Sequence, residues 1–479
     1  MSDFELADQP LKPVEIDAFF QGLTTAPGRL LVAVSGGPDS MALLSLLAQW
    51  AQRSDTPKSL NDMHVATVDH GLRPEATNEA QWVGEQARLL GMTHTLLSEE
   101  AQAPTANIQA WARDLRYRVL VEEAKRQGAK TLLLAHTLDD QAETFLLRLA
   151  RGSGVDGLSA MSAWHKLNGI ELHRPLLSVP KSRLVATLRA HRISWIDDPS
   201  NENDRFDRVK LRKLQPELDR LGLTHVRLAT TAHAMQRSRE ALEARAHSAF
   251  EGCAKPISNL GAVLIDVRNW RYLEEETRLR VLKEALLCVR PADYPPRLQQ
   301  VTELAGELFS ENAEVSARTL AGVEIVATEG KADQALLFAE QGRLGFPVLK
   351  AIKPGEIVIW DHRFQIKIPA WVSTITSQKG RQPALQTETF GESLWIAALE
   401  DSELLDTDIE NVQAQYLAQG RFNRTLVRRL LKSVPLVRLG DLKLGAPVPL
   451  AVCDRQFGGS ETIAFRWIGS NRASNESAT

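Results

Sequence analysis

The chain has 479 residues, 43% hydrophobic and 24% charged, a balance that excludes a chain disordered throughout. Lys and Arg number 57 against 60 Asp and Glu, net −3, so it is not a uniformly basic nucleic-acid binder, although a local basic face stays open. Cys253, Cys288 and Cys453 form no C-x-x-C, which argues against a disulfide framework or a Cys-ligated zinc and fits a reducing, cytoplasmic setting.

No apolar run is long enough to predict a membrane span, and the opening MSDFELADQP lacks the apolar core of a signal peptide. At about 150 residues per domain, the length predicts roughly three domains. Charge is unevenly placed. Residues 1–110 carry 6 basic and 14 acidic side chains, and residues 111–220 carry 20 and 15.

In chain order, Leu30–Val34 is a short apolar run that predicts a buried strand, followed by a helix over Asp39–Trp50. Strands at His64–Val68, Thr93–Leu97 and Thr131–Ala135 alternate with helices at Ala76–Leu90, Asn107–Lys125 and Asp139–Ala150. Such alternation predicts a parallel sheet with helices on both faces and ligands at the carboxyl ends of the strands. The loop at Gly152–Gly157 is followed by a helix at Ser182–His191. A basic helix, Asp204–Leu221, is interrupted or started late by Pro216.

A long helix, Thr224–Cys253, opens a mixed, mainly helical segment with a strand at Ala262–Val267. Its helices lie near Glu275–Val289 and Arg297–Phe309, and a hairpin near Thr319–Phe338. Pro354-Gly355 and short strands at Ile357–Trp360 and Phe364–Ile368 give the following segment a β texture. The expected fold class is α/β: a parallel-sheet domain over 1–221, a mainly helical accessory domain over 222–342, a β-containing domain over 343–469 and a disordered tail over 470–479.

Two motifs carry chemistry. Ser35-Gly36-Gly37-Pro38-Asp39-Ser40 joins the first strand to its helix. Glycines let backbone N–H groups approach an anion, and the helix N-terminus adds its dipole. Ser35 and Ser40 add hydroxyls. No Gly-Lys-Ser/Thr follows, so this is not a Walker loop. Asp39 either caps the helix or holds a divalent cation. The second motif, His136-Thr137-Leu138-Asp139-Asp140-Gln141-Ala142-Glu143, follows the fourth strand. Asp140 and Glu143 share a helix face and suit a cationic amine or a metal, while acidic capping alone explains Asp139.

Ser-Gly-Gly-Pro-Asp-Ser after an apolar strand resembles the pyrophosphate loop of N-type ATP pyrophosphatases, the PP-loop or adenine nucleotide alpha hydrolase-like superfamily. Further segments narrow this to the tRNA(Ile)-lysidine synthase family: Val68-Asp69-His70-Gly71-Leu72-Arg73, Asn107 to Tyr117, His136 to Met161, Arg174-Pro175-Leu176-Leu177 and Trp195 to Asn201. The likeness covers about residues 30–220. One departure is Val209, where the family usually has Asn between the arginines of its basic helix.

That resemblance implies a ligase that uses ATP and Mg²⁺ to adenylate the C2 oxygen of cytidine 34 in tRNA(Ile) with a CAU anticodon. L-Lysine then displaces AMP. It implies phosphate binding by Ser35, Gly36, Gly37, Pro38, Asp39 and Ser40, with Mg²⁺ on Asp39 and the nucleotide beside His136. Asp140 and Glu143 would hold lysine. Arg113 would meet lysine's carboxylate, the AMP phosphate or tRNA. Two basic runs are then expected to touch tRNA: Arg205, Arg208 and Arg212, and a stripe of Arg424, Arg428 and Lys432 at i, i+4, i+8. The eight acidic and no basic residues between Gln382 and Gln419 sharpen that stripe. Its alternative is a solvated helix paired with acidic neighbours. A homodimer is left open.

A related tRNA thiolase would need cysteines in or near its catalytic domain, yet residues 1–252 contain none. A glutamine-fed amide ligase would need a reactive glutaminase Cys. A simple nucleotide sensor would not need the His136–Glu143 cluster or the basic runs.

Overall fold

The computed structural model describes residues 9–24, 26, 28–53, 58–69, 76–98, 108–197, 207–292, 295–309, 317–327, 333–342, 345–353, 355–368, 394–398, 404, 406–417, 422–439, 442–446 and 464–467. Arg205, Cys453, the expected tail and the segments His70–Arg73 and Asp198–Asn201 lie outside them. The chain forms two compact units, Met1–Glu240 and Ala241–Thr479.

The first unit is built on six strands: β1 (Arg29–Ala33), β2 (Met63–Asp69), β3 (Thr93–Ser98), β4 (Ala129–Leu133), β5 (Trp164–Leu167) and β6 (Ile170–His173). They lie in the order β3-β2-β1-β4-β6-β5. All pairs are parallel except the β5–β6 edge. Helices of this unit are α1 (Pro13–Phe20), α2 (Pro38–Ala51), α3 (Ala76–Leu89), α4 (Ile108–Arg126), α5 (Leu138–Leu149), α6 (Val155–Leu158), α7 (Lys181–Ala190) and α8 (Asp207–Arg220). The helix α9 (His225–Cys253) begins in this unit and ends in the second.

The apolar run in β1 has a simple cause. Leu30, Val32 and Val34 enter one core with Leu43 and Leu47 of α2 and Leu184 and Leu188 of α7. Leu31 points the other way, to Leu120, Val121 and Ala124 of α4. With both faces covered, alternation disappears from the sequence. Each fully buried leucine contributes about 2 kcal/mol.

Strand order reverses between β1 and β4, because β2 and β3 lie to one side of β1 and β4 to the other. A crevice at the carboxyl ends of strands forms at such a switch point. The loops leaving β1 and β4 are the two motifs singled out above, so the fold brings them side by side.

Two expectations need amendment. Helix α8 runs through Pro216 without a break. The β5–β6 hairpin went unforeseen, although Asn168 and Gly169 both have positive φ, as a two-residue hairpin turn requires.

In the second unit an antiparallel sheet runs β7-β8-β11-β10-β9. Its strands are β7 (Ala254–Ile257), β8 (Ala262–Asp266), β9 (Ala317–Leu320), β10 (Val323–Ala327) and β11 (Gln334–Ala339). It packs with α10 (Val267–Arg271), α11 (Glu275–Val289) and α12 (Leu298–Phe309). Shorter strands follow, with α13 (Asp406–Tyr416) and α14 (Arg424–Leu431). Cys253 and Cys288 are buried here and form no disulfide. Among the described residues no helix is long and apolar enough to cross a membrane.

Candidate active site

The loop after β1 is folded around one hydroxyl. Ser40 Oγ accepts from the Ser35 backbone N–H (3.1 Å) and donates to the Gly37 carbonyl (3.0 Å), and it lies 3.3 Å from Ser35 Oγ. Gly36 has φ +89°, and a Cβ there would stand 2.8 Å from Ile196 Cδ1. Ile196 N–H donates to the Gly36 carbonyl (2.9 Å), so the Trp195-Ile196 segment seats the loop. Gly37 is the N-cap of α2 and gives no side-chain cap.

Asp39 is therefore not the cap. Its Oδ2 receives the Lys181 ammonium at 3.0 Å, while its Oδ1 is buried with no hydrogen-bond partner. Burial pushes the carboxyl above its usual range, and Lys181 offsets only part of that. A buried carboxylate oxygen without a partner suits a hard cation. Among the described residues no group of three or more His, Cys, Asp and Glu could hold a metal ion.

The second motif opens α5. Thr137 and Asp140 form a capping box: Asp140 Oδ2 accepts from Thr137 N–H (2.9 Å) and Oγ1–H (3.1 Å). Asp139, which sequence spacing cast as the simple cap, instead reaches across. Its Oδ2 accepts from Lys181 N–H at the start of α7 (2.8 Å), and its Oδ1 meets His225 Nδ1 at 3.2 Å. Asp139 is held below the usual carboxylate range: burial opposes this, but His225 and the Lys181 N–H outweigh it. The same hydrogen bond raises His225.

Glu143 is 3% exposed. Arg212 binds it in a fork, Nε to Oε1 at 2.5 Å and Nη2 to Oε2 at 3.3 Å, and Arg208 Nε stands 3.8 Å from Oε2. Burial still raises the Glu143 carboxyl above its usual value despite Arg212. Arg208 Nη1 is 4.0 Å from Asp140 Oδ1. Arg208 and Arg212, which the sequence offered as tRNA contacts, thus reach the acidic pair, while Val209 between them is buried.

His136 is 8% exposed and accepts at Nδ1 from Arg174 Nε (3.3 Å). Burial, then the guanidiniums of Arg174, Arg116, Arg113 and Arg208, hold it well below the ordinary imidazole value. Arg113 is exposed, stacks over the Tyr117 ring at 5.0 Å and donates to its hydroxyl (3.3 Å). Burial opposes ionisation of Tyr117, but Arg113, Arg174 and Arg116 lower its pKa. The Arg116 Nε is buried without a hydrogen-bond partner. This cationic, partly desolvated wall suits an anion.

Residues 12–218 match the PP-loop domain family. The tRNA(Ile)-lysidine synthase of Methylobacterium nodulans is 42% identical over 280 residues, 58% of this chain and 80% of that one. The chain belongs to the tRNA(Ile)-lysidine synthase family. The synthase of Wolbachia pipientis wMel is 35% identical over 360 residues, covering 74% of this chain and 81% of that one. That of Bradyrhizobium diazoefficiens is 38% identical over 350 residues, covering 69% and 95%. The family and PP-loop expectations drawn from the motifs are borne out.

Sequence reasoning missed Lys181 and His225, and gave Arg174 only as part of a matching segment with no role. Their signal is tertiary: none lies within either motif. The expected stripe on α14 is paired with acids of its own unit. Arg424 binds Glu410 and lies 3.8 Å from Asp406, Arg428 binds Asp406 at 3.0 Å, and Arg429 binds Glu324.

Proposed function

We propose that this protein joins L-lysine to C2 of cytidine 34 in tRNA(Ile) bearing a CAU anticodon, by way of an adenylated cytidine, releasing pyrophosphate and AMP. The observation that carries this reading is the meeting, at one switch point, of an uncapped phosphate-type loop with a buried acidic helix start.

In the first step the cytidine O2 attacks the α-phosphorus of ATP and pyrophosphate leaves. The uncapped N-terminus of α2 and the Ser35–Ser40 loop hold the phosphates. Asp39 would hold Mg²⁺, which would supply charge neutralisation at the leaving pyrophosphate. His136 contacts the nucleotide. Arg113 faces an anionic group, either phosphate or lysine carboxylate.

In the second step the lysine ε-amine attacks C2 and AMP leaves. Asp140 and Glu143 hold the lysine ammonium, and a carboxylate with a raised pKa is suited to take its proton. Glu143 is held by Arg212 in the protein alone, so lysine shares or displaces that partner. Arg205, Arg208 and Arg212 then serve tRNA or the reaction intermediate, and Arg424, Arg428 and Lys432 meet tRNA away from the anticodon. A cytoplasmic location follows from the substrate.

The test is incubation of unmodified tRNA(Ile), ATP-Mg²⁺ and labelled lysine. Label should enter the tRNA only with ATP and be lost in Asp140→Asn. Nucleotide turnover without transfer of label would overturn the reading.

A further inference from the structure

Asp139 joins three helix starts. It sits in the first turn of α5, beside Asp140. Its Oδ2 accepts from the Lys181 N–H at the start of α7 (2.8 Å), and its Oδ1 meets His225 Nδ1 at the start of α9 (3.2 Å). The Leu138 N–H also donates to the Val179 carbonyl (3.1 Å), so the joint between α5 and α7 is made by backbone donors. At the joint between α5 and α9 the polar contact is the His225 side chain.

His225 does not serve its own helix. Thr224 Oγ1 accepts from the Arg227 N–H (3.3 Å), and the Thr224 carbonyl accepts from the Leu228 N–H (3.0 Å). The first turn of α9 is therefore capped without the imidazole. A cation at a helix N-terminus is opposed by the helix dipole. The Asp139 hydrogen bond raises His225 all the same, against burial, and Asp219 of α8 and Glu143 of α5 add to it. Leu228 and Ala232, one and two turns on, pack with Ala142 and Phe145 of α5. Ala142 directly precedes Glu143. The imidazole thus pins α9 to the turn of α5 that carries Asp140, and the apolar contacts pin it to the turn that carries Glu143.

We infer that His225 is a positioning residue for the transfer step. Acting through Asp139, it fixes the first turn of α5 so that the amine held by Asp140 and Glu143 meets C2 of the adenylated cytidine in attacking geometry. It needs no contact with either substrate. A small misplacement of reacting atoms lowers the rate by a large factor. The inference rests on reading Asp140 and Glu143 as the lysine site.

The experiment separates the two steps on the full chain with unmodified tRNA(Ile). Adenylation is read as pyrophosphate formed from ATP-Mg²⁺ without lysine. Transfer is read as the single-turnover rate of label entering tRNA at saturating labelled lysine. The unsubstituted chain, His225→Gln, Asp139→Asn and the double variant are compared near pH 6.5 and near pH 9. At the lower pH, His225→Gln should slow transfer about tenfold and leave adenylation within about twofold. At the higher pH His225 of the unsubstituted chain has lost its proton, and the gap should narrow to about threefold or less. Asp139→Asn should slow transfer too, and adding His225→Gln to it should lower the rate by less than about twofold more.

An unchanged transfer rate in His225→Gln overturns the inference. So does a loss shared equally by adenylation, which would make His225 a general support of the fold. A loss that is the same at both pH values, or that adds in full to that of Asp139→Asn, overturns it as well. Failure of the unsubstituted chain to label tRNA at all would instead defeat the proposed reaction.

Discussion

Lys181 Nζ lies 3.0 Å from Asp39 Oδ2, and Asp39 Oδ1 beside it is buried with no hydrogen-bond partner. One carboxylate is thus half satisfied, at the point where β1 and β4 diverge. Its burial raises its pKa, so ionised Asp39 costs folding free energy at neutral pH. Asp39→Asn is expected to leave the melting temperature unchanged or raise it by about 1–3 °C while ATP-Mg²⁺ binding falls. A calorimetric melt with a parallel nucleotide titration checks both. A marked fall in melting temperature would show that Asp39 is there for stability.

Glu143 and Arg212 should behave asymmetrically. Removing the guanidinium in Arg212→Ala leaves a buried carboxylate whose remaining cationic neighbour among the described residues is Arg208, at 3.8 Å. The expected cost is about 2–3 kcal/mol by urea unfolding. Glu143→Gln removes a charge whose burial is already unfavourable, and the 41%-exposed Arg212 side chain can turn to water. That substitution should cost less than about 1 kcal/mol yet abolish lysine transfer. Equal costs would contradict the role assigned to burial.

The His225–Asp139 contact makes a pH-dependent prediction. His225 is raised in the folded state, so its contribution is full below the unfolded histidine value and is lost as pH rises through the folded one. Asp139 is lowered, so its part is present above the ordinary carboxylate value and is lost as pH falls through the folded one. Between those limits both are charged. His225→Gln should cost about 1 kcal/mol near pH 6 and little near pH 9. A cost independent of pH would mean that packing, not charge, accounts for it.

On α14 the arginines are matched by Asp406, Glu410 and Glu324. Exposed pairs of this kind contribute little, about 0–1 kcal/mol, and RNA phosphates can replace them. Arg424→Gln with Arg428→Gln should weaken tRNA binding and reduce the salt slope by about 2. Asp406→Asn with Glu410→Gln should strengthen it. If filter binding across a salt series shows neither change, this helix is the solvated, self-paired face that its sequence also allowed.

Much of the first unit was legible because both faces of its sheet are covered. Leu30 to Val34 reads as a strand since each residue enters one core or the other, and the glycine turn after it needs positive φ at Gly36. The β5–β6 hairpin was less visible: Trp164, His165 and Lys166 are exposed at a sheet edge, so no apolar period marks them. Only Asn168-Gly169 announced it. Within the site, local spacing placed Asp140 and Glu143 on one face but assigned the capping role to the wrong aspartate. Asp139 is turned away by Lys181 N–H and His225, partners 42 and more residues downstream. Spacing likewise gave Arg208 and Arg212 to RNA, because nothing local announces that α8 returns over α5. Lys181 was invisible for the same reason.

The central claim is that this chain transfers lysine to one base of one tRNA. The most direct measurement is mass spectrometry of the nuclease fragment containing position 34, after reaction of unmodified tRNA(Ile) with ATP-Mg²⁺ and lysine. Cytidine 34 should gain one lysine less one water, with AMP and pyrophosphate formed in equal amount. A fragment of unchanged mass, or a sulfur-for-oxygen mass change, would contradict it.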